Sequence, residues 1–196
     1  MKESFVFLAD GFEEVEALTP VDVLRRAGMP VRTVSITSSQ LVTGAHGITV
    51  KADAIFDSTL FKDAEWLILP GGLPGADNLH SFAPLLGALK AQFESKHGRI
   101  AAICASPGVV LGQEGLLKGR KATCYPGFEK MMKGAEYVDQ KVVMDDKFVL
   151  GNGPASALLW SLTIVAKSLG DDKFLNVANG MLLYPVAADH ISNLFG

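Results

Sequence analysis

An unbroken apolar run from Phe5 to Ala9 gives way to Asp10-Gly11, and from Glu13 to Ala27 the apolar residues Val15, Leu18, Val21 and Leu24 recur at helical spacing. The pattern predicts a buried strand, a turn and a helix. Gly28 and Pro30 stop that helix, and Val31 to Ile36 reads as a second strand. The alternation continues. Trp66 to Leu69 is a strand ended by Pro70-Gly71-Gly72, Leu85 to Phe93 is a helix closed by Lys96, His97 and Gly98, and Ile100 to Cys104 is a strand after which Pro107 to Leu111 starts a helix. Between Leu41 and Ala54 short extended pieces around Gly44 and Gly47 predict a β-hairpin added to the sheet. A second short strand pair is expected at Val142 to Met144 and Phe148 to Leu150, then helices at Ala155 to Leu169 and Asp172 to Leu183.

Strands that are apolar on both faces and alternate with helices imply a mostly parallel sheet covered on both sides, an α/β sandwich. No repeat, low-complexity tract or linker interrupts the chain, so one domain over residues 1–196 is expected. In such sheets chemistry gathers at the carboxyl ends of the strands. Ala9-Asp10-Gly11, Pro70-Gly71-Gly72 and Cys104-Ala105-Ser106 are the three ends that stand out.

Composition narrows the classes. Lys and Arg number 18 against 21 Asp and Glu, for a net charge of −3 and a pI near 5.8, with no basic block or aromatic-interleaved basic stripe. Nucleic acid is therefore not the default partner. The uncharged stretch from Phe148 to Ala166 approaches membrane-spanning length, but Gly151, Asn152, Gly153 and Pro154 cut it into strand, turn and helix, so no membrane partner is expected. The short apolar run before Asp10, Glu13 and Glu14 does not resemble a signal peptide, and two cysteines are too few for a disulfide scaffold, which points to the cytoplasm.

Cys104 sits where a buried strand passes into a helix with no intervening loop. Ala102, Ala105 and Ser106 are small enough for a tight bend, much as glycines are around a nucleophile elbow. A helix start would favour the thiolate. The plain alternative is an inert buried cysteine. Glu16, one residue inside the first helix at Val15-Glu16-Ala17-Leu18, is the candidate proton carrier, and an exposed helical Glu is its plain alternative. Pro20, four residues on, cannot donate to the Glu16 carbonyl and predicts a kink. Gly71, Gly72 and Gly75 could bring backbone N–H groups to an oxyanion, or simply make a tight turn. His46, His80, His97 and His190 fall in loop-like or helix-end settings, no two at a metal-ligand spacing, and Cys104 with Cys124 makes no zinc signature. Neither a metal nor a cofactor is expected.

Taken together, Asp10-Gly11-Phe12-Glu13-Glu14-Val15-Glu16, Leu69-Pro70-Gly71-Gly72-Leu73-Pro74-Gly75-Ala76 and Ala102-Ile103-Cys104-Ala105-Ser106-Pro107 resemble motifs of the ThiJ/PfpI superfamily, in particular its branch of the parkinsonism-associated deglycase and bacterial ThiJ-like relatives. Pro20 to Gly28 and Gly153-Pro154 extend the likeness over about residues 3 to 185. The resemblance implies a flavodoxin-like sandwich, a homodimer, a reactive cysteine at Cys104, a protonated or proton-sharing carboxyl at Glu16, and backbone donors at Gly72 and Ala105. Gly71, Tyr125, Asn152, Gly153 and Pro154 would line the pocket.

Two departures qualify it. Ala105 follows Cys104 where the protease-like branch has His, which leaves peptidase activity unsupported. Tyr125 stands where the parkinsonism-associated branch has His, and a phenol with an ordinary pKa near 10 is a poor base at neutral pH, so base work falls to Glu16 or water. The resemblance implies a cofactor-free enzyme acting on small reactive carbonyls or glycated side chains, either glyoxalase III-like or a deglycase. The alternative is a redox-sensing stress protein or holdase in which Cys104 is oxidised to a sulfinate.

Overall fold

The computed structural model describes residues 1–183, so His190 lies outside the described residues. The first strand, β1 (Ser4–Leu8), leads into α1 (Glu14–Arg26) and β2 (Val31–Ser35). After β3 (Leu41–Thr43), β4 (Thr49–Lys51) and β5 (Ala54–Ile55) come β6 (Trp66–Leu69), α2 (Gly75–Ser81), α3 (Ala83–Glu94) and β7 (Arg99–Ile103). The chain continues through β8 (Lys121–Ala122), β9 (Glu136–Tyr137), β10 (Val142–Met144), β11 (Phe148–Gly151), α4 (Ala157–Leu169) and α5 (Asp171–Gly180).

Seven strands form the central sheet in the order β10-β11-β7-β6-β1-β2-β5. Every pairing is parallel except β10 with β11, where Val142 faces Gly151. The inner strands are buried along their length, as a sheet covered on both faces requires. Large buried side chains on both layers meet their polar needs within the fold: the Trp66 indole of β6 donates to Ser168 Oγ at 2.8 Å and the Trp160 indole of α4 to the Val149 carbonyl at 2.9 Å. The mostly parallel α/β sandwich expected from the pattern, flavodoxin-like as the resemblance implies, is the architecture found.

Three expectations are corrected. The hairpin of β3 and β4 is its own two-stranded sheet and does not extend the main one; β5, just beyond it, takes the sheet edge by pairing with Val34 and Ser35. Hydrogen bonds strap the hairpin across the loop after β1, from Gly11 N–H to the Thr43 carbonyl (2.8 Å), Ala45 N–H to the Phe12 carbonyl (2.7 Å) and Thr43 N–H to Asp10 Oδ1 (3.0 Å). The helix expected to start at Pro107 is present, but as a π-helix over Pro107–Gly112 and not an α-helix. Finally, α1 buries Val21 and Leu24 as its apolar spacing suggests, but not Val15 and Leu18. Val15 and Leu18 are 52% and 38% exposed, whereas Glu14 and Glu16 are buried with Ala17, Pro20, Val21, Val23 and Leu24. The helix runs unbroken from Glu14 to Arg26 across Pro20.

Candidate active site

Strands β1, β6 and β7 are neighbours, so their carboxyl ends bring Asp10-Gly11, Pro70-Gly71-Gly72 and Cys104-Ala105-Ser106 together as expected. Cys104 occupies the left-handed region, with φ of 65°, a conformation that is strained for a side-chain-bearing residue. Neighbouring segments hold it there. Its N–H donates to the Gly151 carbonyl at 3.0 Å, and its carbonyl accepts the Tyr125 N–H at 2.8 Å. Ser106, which the sequence reading valued only for its small size, is fully buried and donates to the Pro70 carbonyl at 2.5 Å, tying the end of β7 to the end of β6.

Glu16 is 0% exposed and reaches the same place from α1. Its Oε2 accepts the Gly71 N–H at 2.8 Å, while its Oε1 has no aligned donor among the described residues. The closeness of the cluster is measured at Gly71. A Cβ built there would lie 2.6 Å from Cys104 Cβ, 2.7 Å from Glu16 Oε2 and 3.0 Å from Cys104 Sγ, so only glycine fits. Gly72, with φ of 88°, abuts the backbone of Gly11 to Glu13. Glu13 caps α1, its Oε2 accepting the Glu16 N–H at 2.7 Å.

The electrostatics correct one expectation. Burial first, then the charge and hydrogen bonding of Glu16, push the Cys104 thiol up to about 12, against the opposing pull of the Gly72 and Ala105 N–H groups. Burial likewise raises Glu16 from its ordinary 4.5 to about 7, outweighing the Gly71 N–H and the bond to Cys104. A free low-pKa thiolate at a helix start is thus not what surrounds this sulfur. Two close acidic groups in a poorly solvated site do not both ionise near neutrality. Cys104 as a residue is 8% exposed.

The remaining expected pocket residues fall around this core in different ways. Tyr125 is 45% exposed, and its ring lies 3.3 Å from the Cβ position of Gly153. Asn152 spends its Oδ1 on the Ser156 hydroxyl at 2.6 Å, and Pro154 is exposed at the start of the short turn leading to α4. Cys124 is fully buried, and burial raises its thiol to about 12, which suits an inert packing residue. Both cysteines are free thiols.

Among the described residues, the ligand atoms of Glu13, Glu14 and His46 lie within 4.8 Å of one another, a grouping that the spacing of histidines in the sequence did not reveal. These are the side chains that could approach a metal ion. Most of their capacity is already engaged. Glu14 accepts His46 N–H at 2.8 Å and meets His46 Nδ1 at 2.7 Å, and Glu13 caps α1. Although burial raises the Glu14 carboxyl, its bonds to the His46 side chain and to the His46 and Ile48 N–H groups hold it below its usual value, as an ion pair would. His80 pairs with Glu114 and His97 is exposed.

The DJ-1/PfpI family profile matches residues 2–167. Protein DJ-1 homolog B of Arabidopsis thaliana is 37% identical over 190 residues, covering 96% of this chain and 43% of the relative. A second Arabidopsis relative is covered over 47% of its length, so the chain spans less than half of these plant proteins. Deglycase PH1704 of Pyrococcus horikoshii is 36% identical over 155 residues, covering 78% of this chain and 90% of the relative. The crystal structure of oxidized Toxoplasma gondii DJ-1 superposes with a TM-score of 0.87 at 33% identity, covering 94% of this chain and all of that one (100%). The strained cysteine, its buried acid and these likenesses over nearly the whole length lead to one assignment: the chain belongs to the DJ-1/PfpI family.

Proposed function

We propose that this chain is a cysteine-dependent, cofactor-free enzyme acting on reactive carbonyls, glyoxalase III-like or a deglycase, with Cys104 as nucleophile and Glu16 as proton carrier. The observation that carries the reading is the pairing of a thiol at a left-handed bend with a wholly buried carboxyl that titrates near neutrality. The name of the Pyrococcus relative, a deglycase, supports the same class.

With an α-oxoaldehyde the chemistry proceeds as follows. Sulfur bonds to the aldehyde carbon while Glu16 takes the thiol proton and returns it to the new alkoxide, giving a hemithioacetal. The Gly72 and Ala105 N–H groups steady negative charge as it builds beside the sulfur. Glu16 then removes the proton on the sulfur-bearing carbon and delivers it to the neighbouring one through an enediol, leaving a 2-hydroxy thioester. Water hydrolyses the thioester, frees the thiol and releases a 2-hydroxy acid. No electrons leave the substrate, so no cofactor is needed. The test is lactate formation from methylglyoxal, which is expected to vanish in both Cys104→Ser and Glu16→Gln; turnover surviving in Cys104→Ser overturns the reading.

A second reading, a redox-responsive stress protein or holdase, is favoured by one feature. The unpartnered Glu16 Oε1, once protonated, is a ready donor to an oxygen added to the neighbouring sulfur. Addition of two oxygens to Cys104 by peroxide, without carbonyl turnover, would select it. Under either reading we infer a homodimer formed through the exposed apolar residues Val15 and Leu18 of α1 and Ile48 of the adjoining hairpin, and a reducing cytoplasmic setting suited to two free thiols.

A further inference from the structure

A second concave site lies outside the carboxyl ends of β1 and β2. Its volume is about 370 Å³, and Asp10, Ile36, Thr37, Asn78, Ser81 and Phe82 line it. The chain crosses from one side of β1 to the other between β5 and β6, and segments following β1, β2 and β6 meet around this space. Parallel sheets hold their ligands at such a crossing. The volume sits at the small end of the range for ligand sites, enough for one sugar-sized molecule.

The lining groups are fixed and rich in acceptors. Asp10 commits Oδ1 to the Thr43 N–H at 3.0 Å, which orients its carboxylate and leaves Oδ2 available. Asn78 donates from Nδ2 to the Asp10 carbonyl at 2.8 Å, so its amide oxygen is the free end. Ser81 adds a hydroxyl at the C-terminal end of α2, where the last carbonyls concentrate partial negative charge. No lysine, arginine or histidine is among the lining residues, so the site does not suit a phosphate or carboxylate. Phe82 and Ile36 supply an apolar flank, and the Phe82 ring is braced edge-on against Phe56 at 4.9 Å.

A planar carboxylate, a planar amide, a hydroxyl and an aromatic flank together match a ring whose edge carries neighbouring hydroxyls and whose face is C–H. We propose that this cavity is a binding site for a small neutral polyol, a monosaccharide or another cyclic vicinal diol, separate from the Cys104 centre. Asp10 and Asn78 accept hydrogen bonds from the hydroxyls, and Phe82 covers the ring face. The proposal uses neither Cys104 nor Glu16, so it stands or falls apart from the carbonyl chemistry.

The experiment is a titration of the ¹⁵N-labelled chain, followed by amide shifts, with methyl α-D-glucopyranoside and with myo-inositol. Neither probe has a free carbonyl, so neither can react with the thiol. Methylammonium chloride at matched concentration is the cationic control. The expected result is saturable shifts at Thr37, Asn78 and Ser81 with at least one polyol, unchanged in Cys104→Ser and weakened at least about tenfold in Ser81→Leu, which fills the cavity. If Ser81→Leu does not fold, Asn78→Ala takes its place with the same expectation. Shifts that fail to saturate with both polyols, that appear only with methylammonium, or that persist undiminished in the cavity variant overturn the proposal.

Discussion

Glu13 accepts the backbone N–H of Glu16 at 2.7 Å, so one carboxylate sets the helix turn that aims the next one at the sulfur. This makes Glu13 a positioning residue. Glu13→Ala is expected to cost about 1 kcal/mol of stability, as the loss of a helix cap does, and to lower kcat for methylglyoxal with little change in KM. Glu13→Gln keeps an acceptor oxygen and should restore both. Equal turnover in Glu13→Ala and the parent protein would refute the positioning role.

Gly71 tests the crowding at the site. The Cβ of Gly71→Ala would overlap both Cys104 Cβ and Glu16 Oε2, at 2.6 and 2.7 Å. Separating the two groups should reduce turnover by about 10² or more and cost about 1–3 kcal/mol through overpacking. Paired kinetics and chemical denaturation check it. A fully active Gly71→Ala would show that the thiol and the acid need not touch.

Glu16 should leave a signature in the pH dependence of stability. Its carboxyl is raised by burial from 4.5 in the ordinary state to about 7, so the folded chain holds that proton more tightly than the unfolded chain. The stability it lends is therefore complete below about 4.5 and is lost as pH rises through about 7. Glu16→Gln has the same shape and cannot ionise. Between about pH 5 and about pH 8 the parent protein is expected to lose on the order of 3 kcal/mol relative to this variant, measured by urea unfolding at each pH. Parallel stability curves would mean that Glu16 does not titrate in this window.

The exposed face of α1 gives a test of assembly. Leu18→Glu places a charge among the exposed apolar residues proposed for the dimer contact, and sedimentation should then report the mass of a single chain where the parent protein sediments as two. The thiol environment should persist, because Leu18 is 38% exposed while Glu16 is fully buried. A parent protein that is already monomeric removes the dimer from the proposal.

How far the sequence led can be judged at Cys104 and Glu16. The bend at Cys104 was legible because Ile100 to Cys104 runs straight into Pro107 with only small residues between, a pattern set by local sterics. The inward turn of Glu16 was not legible. Its burial depends on an N–H from Gly71, 55 positions away, and an apolar count along α1 passes over a polar residue such as Glu16. Glu13, Glu14 and His46 stayed hidden for the same reason, since the hairpin that joins them folds back over the loop after β1. The helix α2 escaped notice because Pro74 and Gly75 open it, residues that read as a turn. The raised thiol pKa followed from burial and from an acid partner whose position only the fold supplies.

The positive φ of Cys104 also bears on how this chain can change over generations. A left-handed residue with a side chain costs its host roughly 1–2 kcal/mol that glycine would not. Drift toward a sturdier molecule therefore has an easy route through this codon, and that route discards the sulfur. At this bend, relief of backbone strain and loss of the sulfur come together in one substitution.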